Sequence, residues 1–345
     1  MSSPWFLQNE STKKHILVLG DVMLDAYERG RVTRLNPEAP ASLVLDSDSI
    51  DYHLGGAANV AHNLRTLGAS VTLFGFIGED YDGQTLKELV TRLRISPNFF
   101  HDGRRTTTKL RVVEATRNHQ VLRIDRENKT PMDRSLVDLI MDTFIREMKK
   151  GVSAVVLSDY VEGFLIPDLA KRVIDVCSSY RVPVLVDTKP ERVEYYKGAT
   201  VLKPNLAEAE KMTGISLDRQ QPLLANPALL TLSKKLQQDA SIQYVFITCG
   251  KEGISSITPA GEFLTAPALE KQIYDVTGAG DTVMAVLTLG FASGFNLQDV
   301  RRDPIPILSI MESANLAAGI VIQKPGTSTV SLEELLAAHK TTKTL

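Results

Sequence analysis

Residues 275–282 read DVTGAGDT and run directly into the apolar segment VMAVLTLGF at residues 283–291. Gly278 and Gly280 let the backbone turn sharply and bring its N–H groups close to an anion. A helix starting at Ala279 would point its positive end at the same anion. Asp281 would then accept the proton of a substrate hydroxyl that attacks phosphorus. The stretch predicts a phosphate cradle with a catalytic base, although a plain glycine loop with Asp281 as a helix cap fits it equally well.

Outward from this stretch, short β-branched runs alternate with amphipathic segments along the chain. Such alternation predicts parallel strands covered by helices, which is an α/β fold. The predicted strands are residues 15–19, 70–77, 154–157, 182–186, 200–202 and 244–248. The predicted helices are residues 57–67, 84–93, 135–148, 166–179, 229–237, 279–292 and 310–322.

Two segments break the alternation. Residues 31–54 carry alternating apolar residues such as Leu43 and Leu45, and residues 106–126 predict two strands around a polar turn at 116–118. Together they predict a small sheet that lies across the core as a lid. We therefore divide the chain into core at 1–30, 55–104 and 127–345, with the lid at 31–54 and 105–126. The polar tail 339–345 is predicted to fray.

Composition excludes several functional classes. The chain has 345 residues, is 43% hydrophobic and carries a net charge of −2, which is typical of a globular protein and not of one that coats nucleic acid. Cys177 and Cys249 form neither a disulfide framework nor a metal pattern, so a reducing cytoplasm is expected. No segment has the apolar length of a signal peptide or of a membrane span.

Three separated motifs carry a family resemblance. The stretch at 275–282, the segment LGGAANVA at 54–61 and the segment KPNLAE at 203–208 resemble, in order, motifs of the ribokinase-like (PfkB) sugar kinases. The resemblance implies a Rossmann-type three-layer core with a small β-sheet lid, and ATP and Mg²⁺ as cofactors. A P-loop string is absent, and the Gly-x-Gly lies too late in the chain for dinucleotide binding.

The resemblance also assigns binding residues. Gly55, Gly56 and Asn59 would approach the sugar, although a plain helix start with small packing residues is the alternative. Asn205 and Glu208 would organise Mg²⁺ through water, although a helix cap followed by a first-turn acid is equally consistent with their spacing. Further nucleotide contacts are assigned to Thr248, Gly250, Gly253 and Asn315.

Longer strings resemble the heptose 7-phosphate kinases of lipopolysaccharide core synthesis. They are GDVMLD at 20–25, NPEAP at 36–40, TTKLRV at 107–112, SDY at 158–160 and GTSTV at 326–330. The implied reaction places the γ-phosphate of ATP on the anomeric hydroxyl of D-glycero-D-manno-heptose 7-phosphate. The hairpin tip at 113–120 is longer than usual for these enzymes. No H-x-G-H nucleotidyltransferase string occurs, so a stand-alone kinase is expected.

Further side chains are assigned to this substrate. Asp21 and Asp25 would accept from sugar hydroxyls, or would be turn residues. The sugar phosphate would need cations, and the cations on or near the lid are Arg34, Arg104, Arg105, Lys109 and Arg111, which otherwise form a solvated face. Tyr160 and Lys189 are weaker candidates for the cleft.

Partners and alternatives follow from the same resemblance. The edges of the lid predict a homodimer. A kinase for another sugar, sugar phosphate or nucleoside keeps the fold and the chemistry. A non-catalytic protein that binds sugar or nucleotide is the alternative of another class.

Overall fold

The computed structural model describes residues 4–7, 14–35, 43–293 and 305–342. The NPEAP string at 36–40 and the last three residues of the tail lie outside these ranges. Within the described part of the chain, none of the helices has both the length and the apolarity needed to span a bilayer.

The central strand, β1 (His15–Gly20), is covered on both faces. Ile16 and Val18 are buried in one hydrophobic cluster, and Leu17 and Leu19 are buried in a second cluster on the opposite face. A continuous apolar run of this kind is typical of a parallel strand between two helical layers. The other strands are β2 (Val22–Leu35), β3 (Leu43–Gly56), β4 (Ser70–Phe76), β5 (Ser96–Phe100), β6 (Thr108–Glu114), β7 (His119–Arg126), β8 (Ala154–Ser158), β9 (Val184–Asp187), β10 (Val201–Leu202), β11 (Tyr244–Thr248), β12 (Gly253–Ile257) and β13 (Phe263–Pro267).

The described strands form one large and one small sheet. The large sheet is nine-stranded in the order β13-β12-β11-β10-β9-β8-β1-β4-β5. Its strands pair in parallel except at β12 and β13, which pair antiparallel. The chain builds outward from β1 to β4 and β5 on one side and later returns to β8 on the other. This reversal places a topological switch point between β1 and β8, where open α/β sheets bind ligands beyond the carboxyl ends of their strands.

The helices form the two outer layers, which confirms the predicted three-layer α/β core with a small sheet. The helix α7 is buried from Asp281 to its end at Ala292, whereas the amphipathic helix α4 buries one face. The helices are α1 (Ala57–Thr66), α2 (Tyr81–Arg92), α3 (Ser135–Met148), α4 (Pro167–Tyr180), α5 (Leu206–Thr213), α6 (Pro227–Asp239), α7 (Ala279–Ala292), α8 (Ile305–Val321) and α9 (Leu332–Thr342).

The tail is more ordered than the sequence predicts. The helix α9 continues through Thr342, so the frayed tail predicted from residue 339 is wrong for residues 339–342. The His339 ring is buried, with its Nε2 3.0 Å from the Ser313 hydroxyl of α8. The polar composition of the tail hides this one inward-facing contact.

The small sheet has the order β3-β2-β6-β7 among the described residues. Its strand β2 begins at Val22, before the predicted lid boundary at residue 31, because residues 22–30 already pair with β3 and residues 24–30 also pair with β6. Its two faces differ because strand side chains alternate. The inner face carries Asp25, Tyr27, Arg29, Lys109 and Arg111, and the outer apolar face carries Ile50, Leu110, Val112, Leu122 and Ile124.

Candidate active site

The helix α7 begins directly after the glycine turn, as the sequence predicts. Gly278 has φ 81°, and a Cβ added there would lie 2.9 Å from Nδ2 of Asn59. Asp281 lies in the first turn of α7 and is buried. Its Oδ2 accepts from Asn59 Nδ2 at 2.6 Å, and its Oδ1 accepts from the Tyr160 hydroxyl at 2.8 Å. The carboxylate is therefore held by two donors from different elements.

The surroundings of Asp281 tune its protonation. Burial raises the pKa of this carboxyl from 3.8 to about 6, and the nearby Asp187 carboxylate also raises it. The hydrogen bonds from Asn59 and Tyr160 and the charge of Lys203 lower the pKa again. A general base works best when its pKa lies just below the working pH, so Asp281 has the protonation behaviour that proton abstraction requires.

The glycine pair before α1 lies against the same cleft. Gly56 has φ 56°, and a Cβ there would lie 2.4 Å from the carbonyl oxygen of Asp21. At Gly55 a Cβ would lie 2.6 Å from Oδ2 of Asp25. Neither position has room for a side chain. Gly55 and Gly56 thus pack against Asp25 and Asp21, and Asn59, one turn later, donates its amide to the Asp281 carboxylate.

A chain of hydrogen bonds that sequence reasoning missed stiffens this contact. Asn63 Nδ2 lies 3.3 Å from Oδ1 of Asn59, and the Thr282 hydroxyl donates to Oδ1 of Asn63 at 2.8 Å. Asn63 is buried one helical turn after Asn59 on α1. A polar residue repeated at this spacing inside an apolar helix was the available signal.

Asp21 directly follows β1, the strand end at which the sequence places it. Its carboxylate accepts from the backbone N–H groups of Tyr160 at 2.8 Å, Glu162 at 3.0 Å and Phe164 at 3.1 Å. Burial, with a contribution from the Asp159 charge, raises its pKa to about 6. Because its oxygens bind the loop after β8, Asp21 anchors that loop, and its predicted contact with sugar hydroxyls has no support in this geometry.

Asp25 lies beneath the lid, beside the glycine pair. Its Oδ1 accepts from Arg111 Nη1 at 2.6 Å, and its Oδ2 accepts from the Thr327 hydroxyl at 3.2 Å. Thr327 belongs to the GTSTV string at 326–330, so this string and the GDVMLD string meet at one carboxylate. Asp25 is buried and both of its oxygens have partners within the protein.

Most of the predicted lid cations are already paired. Lys109 pairs with Glu127 and lies 3.8 Å from Asp125. Arg111 pairs with Asp25. The Nε of Arg104 donates to Asp102 at 2.7 Å, and its Nη1 donates to the Glu162 carbonyl at 2.7 Å. Arg34, near the far end of β2, and Arg105 are exposed. Carboxylates therefore neutralise three of the five predicted cations. Asp25 and Glu127 lie far from their partners in sequence, whereas Asp102 lies two residues before Arg104.

Arg29 is a cleft residue that sequence reasoning missed. A cavity of about 800 Å³ beside the lid is lined by Arg29, His53, Arg92, Tyr274 and Gly326, among others. A narrower cleft of about 160 Å³ shares Arg29, Tyr274 and Gly326 with it. This cleft is also lined by Thr277 of the glycine turn before α7, the candidate catalytic turn. Arg29 lies 3.5 Å from the carboxylate of the exposed Asp51, which is a weakly held pair. Arg29 thus lines both cavities.

The tip of the lid hairpin reaches the core. Asn118, in the left-handed region at φ 50°, accepts from Arg29 Nη1 at 2.9 Å and donates to the Tyr274 hydroxyl at 2.8 Å. Tyr274 immediately precedes the stretch at 275–282. The hairpin tip that the sequence marks as unusually long therefore closes one side of the cleft.

Asn205 and Glu208 form a capping box at the start of α5. The Asn205 side chain accepts from the Glu208 N–H, and the Glu208 carboxylate accepts from the Asn205 N–H, both at 2.9 Å. Lys189 Nζ binds the other oxygen of Glu208 at 2.7 Å. No group of three or more His, Cys, Asp or Glu side chains converges on a metal site within the described ranges. The contacts of Asn205 and Glu208 are those of the helix cap, and a Mg²⁺ ion would be held here through water, not in a direct cage.

The predicted nucleotide residues lie at the neighbouring strand ends. Thr248 forms a β-bridge with Asn205. Gly250 begins the turn after β11 at φ 59°, and Gly253, at φ 113°, would place a Cβ 2.2 Å from the Ala266 carbonyl. Asn315 Nδ2 of α8 donates to that same carbonyl at 2.8 Å. Thr248 and the two glycines thus lie at the carboxyl end of β11 and in the turn after it, and Asn315 faces that turn from α8.

A buried ion pair beside the catalytic turn also escaped the sequence reasoning. Lys203 Nζ lies 2.9 Å from Oδ2 of Asp187, and both follow the carboxyl ends of neighbouring strands. A Cβ added at Gly280 would lie 3.6 Å from Lys203 Nζ. The lysine of the KPNLAE string thus brings a positive charge to the start of α7.

Comparison with known proteins agrees with this site. The model of the pfkB family of carbohydrate kinases matches residues 13–335. The bifunctional protein HldE of Trichlorobacter lovleyi is 38% identical over 333 residues, which cover 96% of this chain and 64% of that protein. This chain therefore spans less than two thirds of the length of that relative.

Solved structures show the same fold at low identity. Phosphofructokinase-2 from Escherichia coli in complex with potassium matches with a TM-score of 0.75 at 16% identity, covering 96% of this chain and 99% of that one. Arabidopsis thaliana ribokinase complexed with ribose and ATP matches with a TM-score of 0.67 at 15% identity, covering 95% and 98%. The family match over residues 13–335 shows that this chain belongs to the pfkB family of carbohydrate kinases.

Proposed function

We propose that this protein transfers the γ-phosphoryl group of ATP to the anomeric hydroxyl of D-glycero-D-manno-heptose 7-phosphate. The product would be the 1,7-bisphosphate, a precursor of ADP-heptose and of the lipopolysaccharide core. The observation that carries the transfer is the buried Asp281 carboxylate, held by Asn59 and Tyr160 at the start of α7. The heptose-kinase strings, three of which meet at Asp25, support the choice of sugar.

The chemistry follows from the site. Asp281 takes the proton of the anomeric hydroxyl while the oxygen attacks phosphorus. The N–H groups of the turn at Gly278 and Gly280 and the positive end of α7 stabilise charge on the transferred group. Mg²⁺, when bound through water at Asn205 and Glu208, neutralises charge on the phosphates. Positioning and electrostatics supply most of the rate in such transfers.

Two features support a phosphorylated sugar beneath the lid. The cleft beside Thr277 widens into the larger cavity at Arg29, so an acceptor can span from the catalytic turn to a guanidinium. Arginine suits a phosphate because its fork of donors matches phosphate oxygens. The contact of the Asn118 amide with the Tyr274 hydroxyl bounds one side of this cleft.

The test of this proposal is ADP release by the purified protein with Mg-ATP and a panel of acceptors. D-glycero-D-manno-heptose 7-phosphate is compared with ribose, fructose 6-phosphate, fructose 1-phosphate and adenosine. Turnover confined to the heptose phosphate supports the proposal. Preference for another acceptor removes the sugar assignment and keeps the kinase, and silence with every acceptor favours a binding protein.

The pH dependence of the reaction is expected to report on Asp281. Its pKa is raised to about 6, and only the ionised form accepts a proton, so kcat/KM should fall about tenfold per pH unit below pH 6. Above that pH the acidic limb should level off. The measurement is kcat/KM from pH 4.5 to 8 with stable protein throughout. A profile that stays flat down to pH 4.5 contradicts Asp281 as the base.

We also propose a cytoplasmic homodimer that forms through the lid. On the outer apolar face, Ile50, Leu122 and Ile124 are 46%, 52% and 39% exposed, which is unusual for large apolar side chains on one surface. The strand β7 lies at the edge of the described small sheet, where another chain can pair. Free, buried Cys177 and Cys249 are compatible with a reducing compartment.

Replacing Leu122 with lysine is expected to convert the dimer to a monomer, because a charge would enter the apolar centre of the interface. Light scattering at micromolar concentration measures the mass. The matched control is Leu139→Lys, since Leu139 is 53% exposed on α3, away from the lid. A wild-type monomer, or equal dissociation by both variants, contradicts this interface.

A further inference from the structure

The loop after β8 has an unusual backbone. Val161 has φ 66°, a left-handed conformation that is rare for a β-branched residue. Gly163 follows at φ 94°, and a Cβ there would lie 2.2 Å from the Thr130 carbonyl oxygen. A strained residue of this kind persists only where the surroundings over-determine it, and it frequently marks a functional constraint.

Two buried carboxylates impose this conformation. Asp21, at the end of β1, accepts from the N–H groups of residues 160, 162 and 164. Asp159 accepts from the intervening Val161 N–H at 2.9 Å, and its other oxygen accepts from the Tyr196 hydroxyl at 2.6 Å. Because the N–H groups of residues 160, 161, 162 and 164 are all bound by these two carboxylates, the loop has little freedom to relax.

The loop after β8 places the Tyr160 side chain against the Asp281 carboxylate. Tyr160, next to the strained Val161, donates its hydroxyl to Oδ1 of Asp281 at 2.8 Å. Lys189 Nζ lies 5.3 Å from the centre of the Tyr160 ring, and this cation–π contact helps to hold the ring in place. Burial and the Asp281 charge raise the pKa of Tyr160 well above its usual value, so the hydroxyl keeps its proton and remains a donor.

We propose that Tyr160 is a positioning residue for phosphoryl transfer, whose hydroxyl orients the Asp281 carboxylate toward the acceptor and is itself set by the Asp21 clamp. This inference rests on the proposed role of Asp281 as the base. The acceptor O–H bond breaks, its proton moves to an Asp281 oxygen, the acceptor oxygen bonds phosphorus, and the bond from phosphorus to the ADP oxygen breaks. Tyr160 keeps its own proton throughout.

The groups that face Asp281 determine what the loss of this hydroxyl does. Asn59 faces it from α1 and Tyr160 from the loop after β8, while Asp187 of β9 and Lys203, after β10, act through their charges. Among the described residues, only Asn59 and Tyr160 donate directly to the carboxylate. Removing the Tyr160 hydroxyl therefore takes away one of two direct donors and should make the carboxyl harder to ionise.

The test is Tyr160→Phe, which keeps the ring and deletes the donor. With protein carrying ¹³C at aspartate side-chain carboxyls, the Asp281 signal is assigned by its loss in Asp281→Asn. Its titration midpoint should rise by about one pH unit in Tyr160→Phe. With whichever acceptor turns over, kcat should fall about tenfold or more, KM should change little, and the acidic limb should move upward by the same amount.

The matched control is Tyr196→Phe, which removes a buried tyrosine hydroxyl from Asp159. It should lower the melting temperature and leave the Asp281 midpoint in place. An unchanged midpoint in Tyr160→Phe, or an equal shift in Tyr196→Phe, overturns the inference. The titration needs no substrate, so a shifted midpoint with no turnover on any acceptor refutes the proposed function and leaves the tyrosine contact standing.

Discussion

Replacing Asp281 with asparagine is expected to lower kcat about a thousandfold, while the affinity for ATP stays near its wild-type value. General-base catalysis contributes roughly a hundredfold to ten-thousandfold in enzymes, and the amide of asparagine cannot take the proton. The turn at Gly278 and Gly280 binds through backbone groups, which the substitution leaves in place. Single-turnover rates and nucleotide titration separate the two effects.

The matched control for this variant is Asp168→Asn. Asp168 also lies in the first turn of a helix, α4, but it is exposed and distant from the catalytic turn in sequence. Its replacement should leave kcat unchanged. Near-normal turnover of Asp281→Asn, or a loss of ATP affinity as large as the loss of kcat, contradicts the assigned role.

Replacing Lys203 with methionine is expected to reduce the free energy of unfolding by about 3 to 5 kcal/mol. Its ammonium group is 2.9 Å from Asp187, and the lysine side chain is only 4% exposed. The methionine would leave the Asp187 carboxylate without its partner in a poorly solvated place. The measurement is urea unfolding of the wild type and the variant, followed by fluorescence or circular dichroism.

The double variant Lys203→Met with Asp187→Leu tests the cause of that loss. If the unpaired carboxylate is responsible, the double variant should recover most of the stability, since apolar groups can replace a buried ion pair. Activity should stay low, because the positive charge beside Gly280 is absent in both variants. A loss below about 1 kcal/mol in the single variant contradicts this account of the pair.

The bounds of the helix α7 could be predicted closely from the sequence. Its bounds, Ala279–Ala292, are those expected, because a glycine turn followed by a long apolar run leaves few alternatives. The residue at which the lid begins was harder to predict. In residues 22–30, polar residues of the inner face interrupt the apolar ones, so the start of β2 resembles a loop when its partner strands are unknown.

The cationic residues show why the site was predicted only in part. Arg111 meets Asp25, and Lys109 meets Glu127, across the sheet and its flank, so local composition could not reveal that their charges are neutralised. Asp21 likewise turned out to bind backbone groups far along the chain. The contact between Tyr160 and Asp281 links two strand ends that are adjacent only in the folded sheet.

Asn205 and Glu208 illustrate a different limit. Their spacing predicted either a water-bridged Mg²⁺ site or a helix cap, and the capping box is present in the structure. The two roles use the same residues, since a capped helix start still exposes oxygen atoms at the strand ends. Spacing alone therefore does not separate them.

The most direct test of the proposed reaction is ³¹P NMR of the product formed from D-glycero-D-manno-heptose 7-phosphate and Mg-ATP. The account predicts a new phosphorus signal coupled to the anomeric proton, with the 7-phosphate signal retained and ADP formed in equal amount. A new phosphate coupled to any other sugar proton, or ADP formed together with inorganic phosphate alone, would contradict it.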